Sequence, residues 1–341
     1  MTLRVALVGY GDAGRGIHAP LLRAAGHRVV AVVTRARADA VREDWPGAVV
    51  HPSIEDLVAG PPVDLAVVAS PTGAHEANVL ALLGAGLPVV VDKPIALDAA
   101  GAQRLVAAGG RLTVFQNRRW DPEQLTLRAL LAAGELGRVH RFERRWERWR
   151  PVPKNRWREN AVGEGGGLLL DLGSHLVDSA VQLFGPVASV AAEIRALTTP
   201  AEDDVFLALT HVSGTVSHLQ AGSLVAAPGP RTRVLGDRAA YLVTEFEEDP
   251  TPFAPLTPPA GHLGLLVRGA GTTPVPRAPG GHVDFYRQVG EWLAGRAPVP
   301  VEPADALATA RVLDAARVAA AERRIVDLID PVDNGGSTPP A

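Results

Sequence analysis

The chain contains no cysteine, which excludes disulfides and thiolate metal sites and leaves a reducing compartment permitted. No apolar run approaches the roughly 20 residues that cross a bilayer, and no signal-type cleavage region follows Met1. The expectation is a soluble, cytoplasmic protein with no membrane partner. A formal net charge of -3 gives no case for a nucleic-acid polyanion as main partner. No spacing of side chains matches a metal motif, and no internal repeat is found. Lysine is scarce beside many arginines, a mark of coding bias. What the chain does have is 341 residues, 47% of them hydrophobic, enough for two domains of ordinary size with sizeable cores.

The apolar run Leu3 to Val8 leads into Gly9-Tyr10-Gly11-Asp12-Ala13-Gly14, which matches G-x-G-x-x-G. Glycines there allow a tight turn and let backbone approach a pyrophosphate at the start of a helix. The motif is weak alone, but here it follows a strand, precedes a helical pattern through Leu21, Leu22 and Ala25, and leads to a second apolar strand, Val29 to Val33. An acidic residue at the end of that strand would bind the ribose of NAD. This chain has Thr34-Arg35-Ala36-Arg37 instead, and a hydroxyl with guanidinium groups suits a phosphate dianion. NADP(H) is therefore favoured over NAD(H), the alternative being that Arg35 and Arg37 are solvated loop charges.

The alternation continues with helices at Ser53-Leu57, Ala74-Leu83 and Asp98-Ala108, and strands at Leu65-Ala69, Val89-Val91 and Leu112-Phe115. This pattern predicts a doubly wound parallel sheet, whose ligands bind at the carboxyl ends of the strands. Two polar clusters fall there, Ser70-Pro71-Thr72-Gly73-Ala74-His75 and Asp92-Lys93-Pro94. Lys93, beyond a buried strand and before a proline, is placed to donate to a substrate oxygen and stabilise an alkoxide; the alternative is a surface lysine. His75 either caps a helix or borders the nicotinamide.

After Asn117 the alternation ends. Asp121 and Pro122 start a helix to about Ala133, with Asp121 as its cap. A strand over 138–147 follows, then an aromatic and guanidinium loop carrying Arg148, Trp149, Arg150, Arg156 and Trp157. Such residues suit a polyhydroxylated ligand, or form an arginine-carboxylate network. Strands at 187–196, 205–212, 215–224, 231–235 and 240–243, joined by short turns, predict a largely antiparallel sheet. Helices at His282-Ala294 and Pro303-Arg324 close the fold, and 331–341 read as a flexible tail. The expected organisation is thus an N-terminal Rossmann domain over 1–118 and an α+β substrate-binding and oligomerisation domain over 119–330.

Between the loop and the antiparallel sheet lies Gly163-Glu164-Gly165-Gly166-Gly167, followed by a helix in which Asp171, His175 and Asp178 share one face. Gly173 inside that helix costs about 1 kcal/mol relative to Ala, which points to a close approach by another molecule or backbone. A histidine beside carboxylates is a proton-transfer unit; the alternative is an acidic helix start with a satisfied histidine.

Gly9, Gly11 and Gly14, Asp92-Lys93-Pro94 and Asp171-Leu172-Gly173-Ser174-His175 together resemble the Gfo/Idh/MocA oxidoreductase family, with Asp92 where that family more usually has Glu. Within it the chain looks most like the NADP-dependent scyllo-inositol dehydrogenase branch, by His18-Ala19-Pro20-Leu21-Leu22, Thr34-Arg35, Asn117-Arg118-Arg119-Trp120-Asp121, Arg148-Trp149-Arg150-Pro151 and Arg156-Trp157-Arg158-Glu159. The resemblance extends to about Asp327, with a poor match over 245–279. It implies that Lys93, Asp171 and His175 are catalytic and meet at the nicotinamide. It implies cofactor contacts from Gly9, Gly11, Asp12, Ala13, Gly14, Thr34, Arg35, Ser70, Pro71, Thr72, His75, Asp92 and Lys93. Asn117, Arg118, Trp120, Arg148, Arg150, Arg156 and Trp157 join Asp171 and His175 as expected substrate contacts. The implied activity is hydride transfer between NADP(H) and a cyclitol or sugar, in a homodimer or homotetramer formed through the C-terminal sheet. A glycoside hydrolase using nicotinamide transiently, or a non-catalytic nucleotide-binding regulator, stays open.

Overall fold

The structure, a computed structural model, describes residues 2–244 and 256–328. The expected tail and the first part of the poorly matching segment lie outside the described residues. Six parallel strands form the first sheet: β1 (Arg4–Val8), β2 (Arg28–Val33), β3 (Val49–His51), β4 (Leu65–Val68), β5 (Val89–Asp92) and β6 (Leu112–Phe115). β4 and β6 are buried along their whole length, as helix-covered parallel strands require. Their order, β3-β2-β1-β4-β5-β6, reverses between β1 and β4 and opens a crevice at the carboxyl ends of those two strands.

The connecting helices are α1 (Ala19–Ala24), α2 (Ala38–Asp44), α3 (Ile54–Ala59), α4 (His75–Gly84) and α5 (Ala99–Ala108). Ser53 and Asp98 cap α3 and α5 by accepting the backbone N–H of Asp56 and Gly101. β3 and α2 had no sequence expectation, because Val49-Val50-His51 is too short a run to show a period.

The second half forms a nine-stranded mixed sheet in the order β14-β13-β12-β11-β7-β10-β9-β8-β15. Its strands are β7 (Val139–Glu147), β8 (Val187–Arg195), β9 (Asp204–His211), β10 (Val216–Gly222), β11 (Thr232–Gly236), β12 (Ala240–Val243), β13 (His262–Arg268), β14 (Gly271–Pro276) and β15 (Val326–Asp327). β7 and β10 pair in parallel and the other neighbours antiparallel. β13 and β14 lie within the Pro- and Gly-rich stretch where no strand was expected. Gly264, Pro274 and Pro276 break the alternation there, and proline is tolerated because β14 is an edge.

Along β7 the side chains divide cleanly. Phe142, Arg144 and Trp146 face the helices, while Glu143 and Arg145 face outward and join Arg233 and Gln220 in a charged ladder. The remaining helices are α6 (Pro122–Ala132), α7 (Trp157–Asn160), α8 (Ser174–Phe184), α9 (Val283–Leu293) and α10 (Pro303–Glu322). Leu176 and Phe184 of α8 and Leu313 of α10 pack with Val190, Leu207, Leu209 and Leu219 in the core of this half. α9 instead packs on the first sheet, where Phe285 and Tyr286 meet Phe115 at ring distances of 5.0 and 5.7 Å.

Candidate active site

At the mouth of the crevice Gly9 has φ +98, and a Cβ there would lie 2.7 Å from the Ala69 carbonyl oxygen. A Cβ on Gly14 would strike the carbonyl oxygen of Gly9. Both glycines are therefore required by the backbone itself. At Gly11 a Cβ would meet no protein atom within 4 Å, so the need for glycine there is not internal packing. Asp12 is exposed and Ala13 half-buried on the same turn. The Gly9 N–H donates to the Val33 carbonyl at 3.0 Å, which brings the end of β2, with half-buried Thr34 and exposed Arg35, to this turn. Ser70 and Pro71 follow β4 on the other side, with the Asn78 amide donating to Ser70 Oγ at 3.0 Å.

Thr72 is buried, and a Cβ on Gly165 (φ +96) would lie 3.0 Å from its Cβ, so the glycine-rich loop of the second half presses directly on this loop. His75 is the first residue of α4 and does not cap it. It is buried, with Nδ1 2.9 Å from the Pro94 carbonyl and Nε2 2.9 Å from that of Ser70, and it clamps two loops together.

The helix carrying the acidic and histidine face differs from the expected single α-helix. Leu169–Gly173 forms a π turn, and α8 begins at Ser174; such turns recur at functional sites. Around Gly173 a Cβ would stand 3.4 Å from Leu169 Cδ1, 3.5 Å from Leu313 Cδ2 and 3.7 Å from the Leu168 carbonyl oxygen, so side chains and backbone both approach it closely. Lys93, at the end of β5, reaches across to this turn. Its Nζ donates to the Asp171 carbonyl at 2.6 Å and to Asp171 Oδ1 at 3.1 Å. Burial alone would raise the Asp171 pKa, but Lys93, Arg158 and Arg148 hold it below the usual carboxylate range.

His175 is 8% exposed and stacks on Trp146, 5.9 Å between ring centres. Burial, then the charges of Lys93, Arg118, His282 and Arg231, push its pKa well below 6.5. At neutral pH it is an uncharged imidazole, ready to accept a proton. Asp178 does not join this pair: its carboxylate is held by Arg119 at 2.6 and 2.9 Å, and Arg119 also binds Asp305 at 2.9 Å.

Arg148, Arg150 and Arg156 come together with Arg158 and Asp171 around a cavity of about 100 Å³. Arg118 binds Asp121 at 3.1 Å and lies over Trp146 at 4.7 Å. Asn117 Nδ2 is 3.4 Å from His282 Nδ1. The structure does not bring Trp120 to the site, since it is buried against Phe285 at 5.2 Å. Trp157 is exposed on the surface beneath the Arg158 guanidinium. Asp121 stands at the N-cap of its helix as expected, but its side chain makes no cap hydrogen bond; its two oxygens take Arg118 and, at 2.5 Å, His282 Nε2.

Sequence reasoning gave no site role to Trp146, His282, Glu123, Arg144 and Arg231, and took Asp121 only as a helix cap and part of a motif. The sequence signal for Arg144 and Trp146 was the alternation of β7, which puts both on the helix-facing side. Among the described residues no group of His, Cys, Asp and Glu can hold a metal ion, and no helix is long and apolar enough to cross a membrane.

Residues 3–114 match the oxidoreductase family, NAD-binding Rossmann fold, and residues 124–242 match the GFO/IDH/MocA C-terminal domain. The chain is 30% identical to the scyllo-inositol 2-dehydrogenase (NADP(+)) IolW of Bacillus subtilis, over 96% of each protein. It is 40% identical to an inositol 2-dehydrogenase of Streptomyces avermitilis over 33% of this chain and 35% of that one. The solved structure of the oxidoreductase yvaA of Bacillus subtilis superposes with a TM-score of 0.85 at 29% identity, covering 96% of this chain and 99% of that one.

Proposed function

The chain belongs to the Gfo/Idh/MocA oxidoreductase family, and on that premise we propose that it transfers a hydride reversibly between NADP(H) and a secondary alcohol or ketone of a cyclitol or sugar. The observation that carries this reading is the junction of Lys93 with Asp171 across the two sheets, with His175 one turn further on. The dinucleotide supplies the hydride acceptor or donor when bound. Gly9, Gly11 and Gly14 fit its pyrophosphate, and the Thr34 hydroxyl and exposed Arg35 fit a 2′-phosphate.

In the oxidative direction His175 takes the proton of the reacting hydroxyl, for which its neutral state at pH 7 suits it. Lys93 donates to the same oxygen and stabilises the alkoxide character that develops as the hydride leaves. Asp171 keeps the ammonium in place and accepts from neighbouring substrate hydroxyls. Arg148, Arg150 and Arg156 bind the rest of the ring with planar donors. The charged ladder on the outer face of the nine-stranded sheet is covered in this reading by a second copy of the chain.

Incubation with NADPH or NADP(+) and a panel of inositols, inososes and sugars tests the proposal. A change in nicotinamide absorbance with a cyclitol or sugar is expected. Substrate cleavage with no net redox change, or tight NADPH binding without turnover on any member, contradicts it.

A further inference from the structure

Lys93 is gripped at its ammonium by the second half of the molecule; its backbone is held by the half-buried Asp92, backed by buried side chains that the proposed chemistry does not use. Asp92 Oδ1 accepts the Lys93 backbone N–H at 2.8 Å. Asp92 Oδ2 faces His18 Nε2 at 3.6 Å, and His18 Nδ1 lies 2.6 Å from Tyr286 Oη. His18 and Tyr286 are both fully buried, and the His18 ring packs on Phe115 at 4.4 Å.

We infer that Tyr286 of α9, acting through His18 and Asp92, is a positioning residue for Lys93, an inference that rests on the reaction proposed above. Burial, then the charge of Asp92, pushes the Tyr286 phenol well above 10.0, so the hydroxyl stays protonated and donates to His18 Nδ1. With Nδ1 engaged by the phenol, His18 Nε2 is left facing the Asp92 carboxylate across 3.6 Å, an electrostatic contact longer than a hydrogen bond. Asp92 stays ionised because, although burial opposes it, His18, Lys93 and His75 lower its pKa. The carboxylate is thus directed from one side by His18 and holds the lysine turn from the other, while His75 fixes the next carbonyl, that of Pro94.

The position of His18 adds a second link. It is the last residue of the π turn Gly14–His18 that follows the glycine cradle. One imidazole therefore touches the cradle's first helical turn, the lysine turn and α9, which arrives from the far end of the sequence. Nothing in α9 reaches the reacting atoms, so its contribution is the placement of Nζ and not chemistry.

Tyr286→Phe removes one oxygen and keeps the ring contacts with Phe115 and Phe285. It is expected to lower kcat about tenfold while the Kd for NADPH and the KM for substrate stay within about twofold, the split expected of a lost positioning contact. A readout free of turnover is available because the chain has two lysines, Lys93 and exposed Lys154. In limited amine acetylation followed by peptide mass spectrometry, the Lys93-to-Lys154 labelling ratio should rise about threefold or more in Tyr286→Phe, as Nζ spends more time free of Asp171.

His18→Leu should repeat both effects, and His18→Gln, which keeps an N–H donor, should restore most of them; this pair decides the matter if Tyr286→Phe fails to fold. A labelling ratio and kcat unchanged in Tyr286→Phe, or equal losses in His18→Leu and His18→Gln, overturn the inference. Absence of nicotinamide turnover in the unaltered protein sinks the proposed reaction instead, while the labelling ratio still decides the role of Tyr286.

Discussion

At the scale of single residues, the site is governed by which groups keep a charge after burial. His175 loses its proton readily because it is buried among cations, while Asp171 keeps its charge because three cations face it. A general base with a pKa well below 6.5 leaves no acid limb of its own at or above that value. kcat/KM for the oxidation should therefore fall only at lower pH, and an inflection assigned to His175 at or above pH 6.5 would contradict its role. Arg35 offers a second test. Arg35→Asp sets a carboxylate where a 2′-phosphate is proposed to sit, and the KM for NADP(H) should rise about tenfold or more relative to that for NAD(H); an unchanged ratio refutes the phosphate reading.

At the scale of elements, the π turn and α8 are held by different partners along their length. Lys93 grips the turn, and Arg119 grips α8 through Asp178. Asp178→Ala leaves a buried guanidinium with only Asp305, so stability to denaturant should drop by about 3 kcal/mol with turnover retained. A loss under about 1 kcal/mol would show that Asp305 suffices alone. The parts of the site that could be read from the sequence are those encoded locally. Gly9, Gly11 and Gly14, Lys93 after an apolar strand, and Asp171 with His175 at helical spacing each carry their signal within a few residues. His282 and Asp121, or Tyr286 and His18, meet only because α9 returns to the first sheet, and no short-range period announces that. Trp120 shows the converse error: an aromatic beside Arg118 suggests a ligand contact, yet Phe285 from α9 buries it. The alternation of long strands revealed both sheets, and the three-residue β3 and the proline-bearing β14 fell below that signal.

At the scale of the whole molecule, buried neutral histidines and buried ionised carboxylates link the fold to pH in the same direction. Burial lowers His27, His175 and His211 below 6.5, so the unfolded chain takes up protons in a range where the native chain does not. Their contribution is full above 6.5 and is lost as the pH falls towards the folded values. Glu123, held at about 2 by Arg144 and Arg231 against the opposing effect of burial, adds a further loss below the usual carboxylate range. The raised values of Asp178 and Glu202 oppose these effects. The denaturation midpoint should fall between about pH 7 and about pH 5, and a flat or rising midpoint would show that the histidines are not buried in neutral form.

The two sheets share one reacting centre only if Lys93 and His175 act on the same substrate atom. The most direct measurement follows deuterium from the carbinol carbon of a labelled cyclitol or sugar into the nicotinamide, by mass spectrometry, in the unaltered chain and in Lys93→Ala and His175→Ala. The account predicts deuterium in the reduced nicotinamide, formed more than about tenfold slower in each variant with nucleotide binding nearly intact. Substrate consumed with no deuterium in the nicotinamide, or transfer undiminished in both variants, would contradict it.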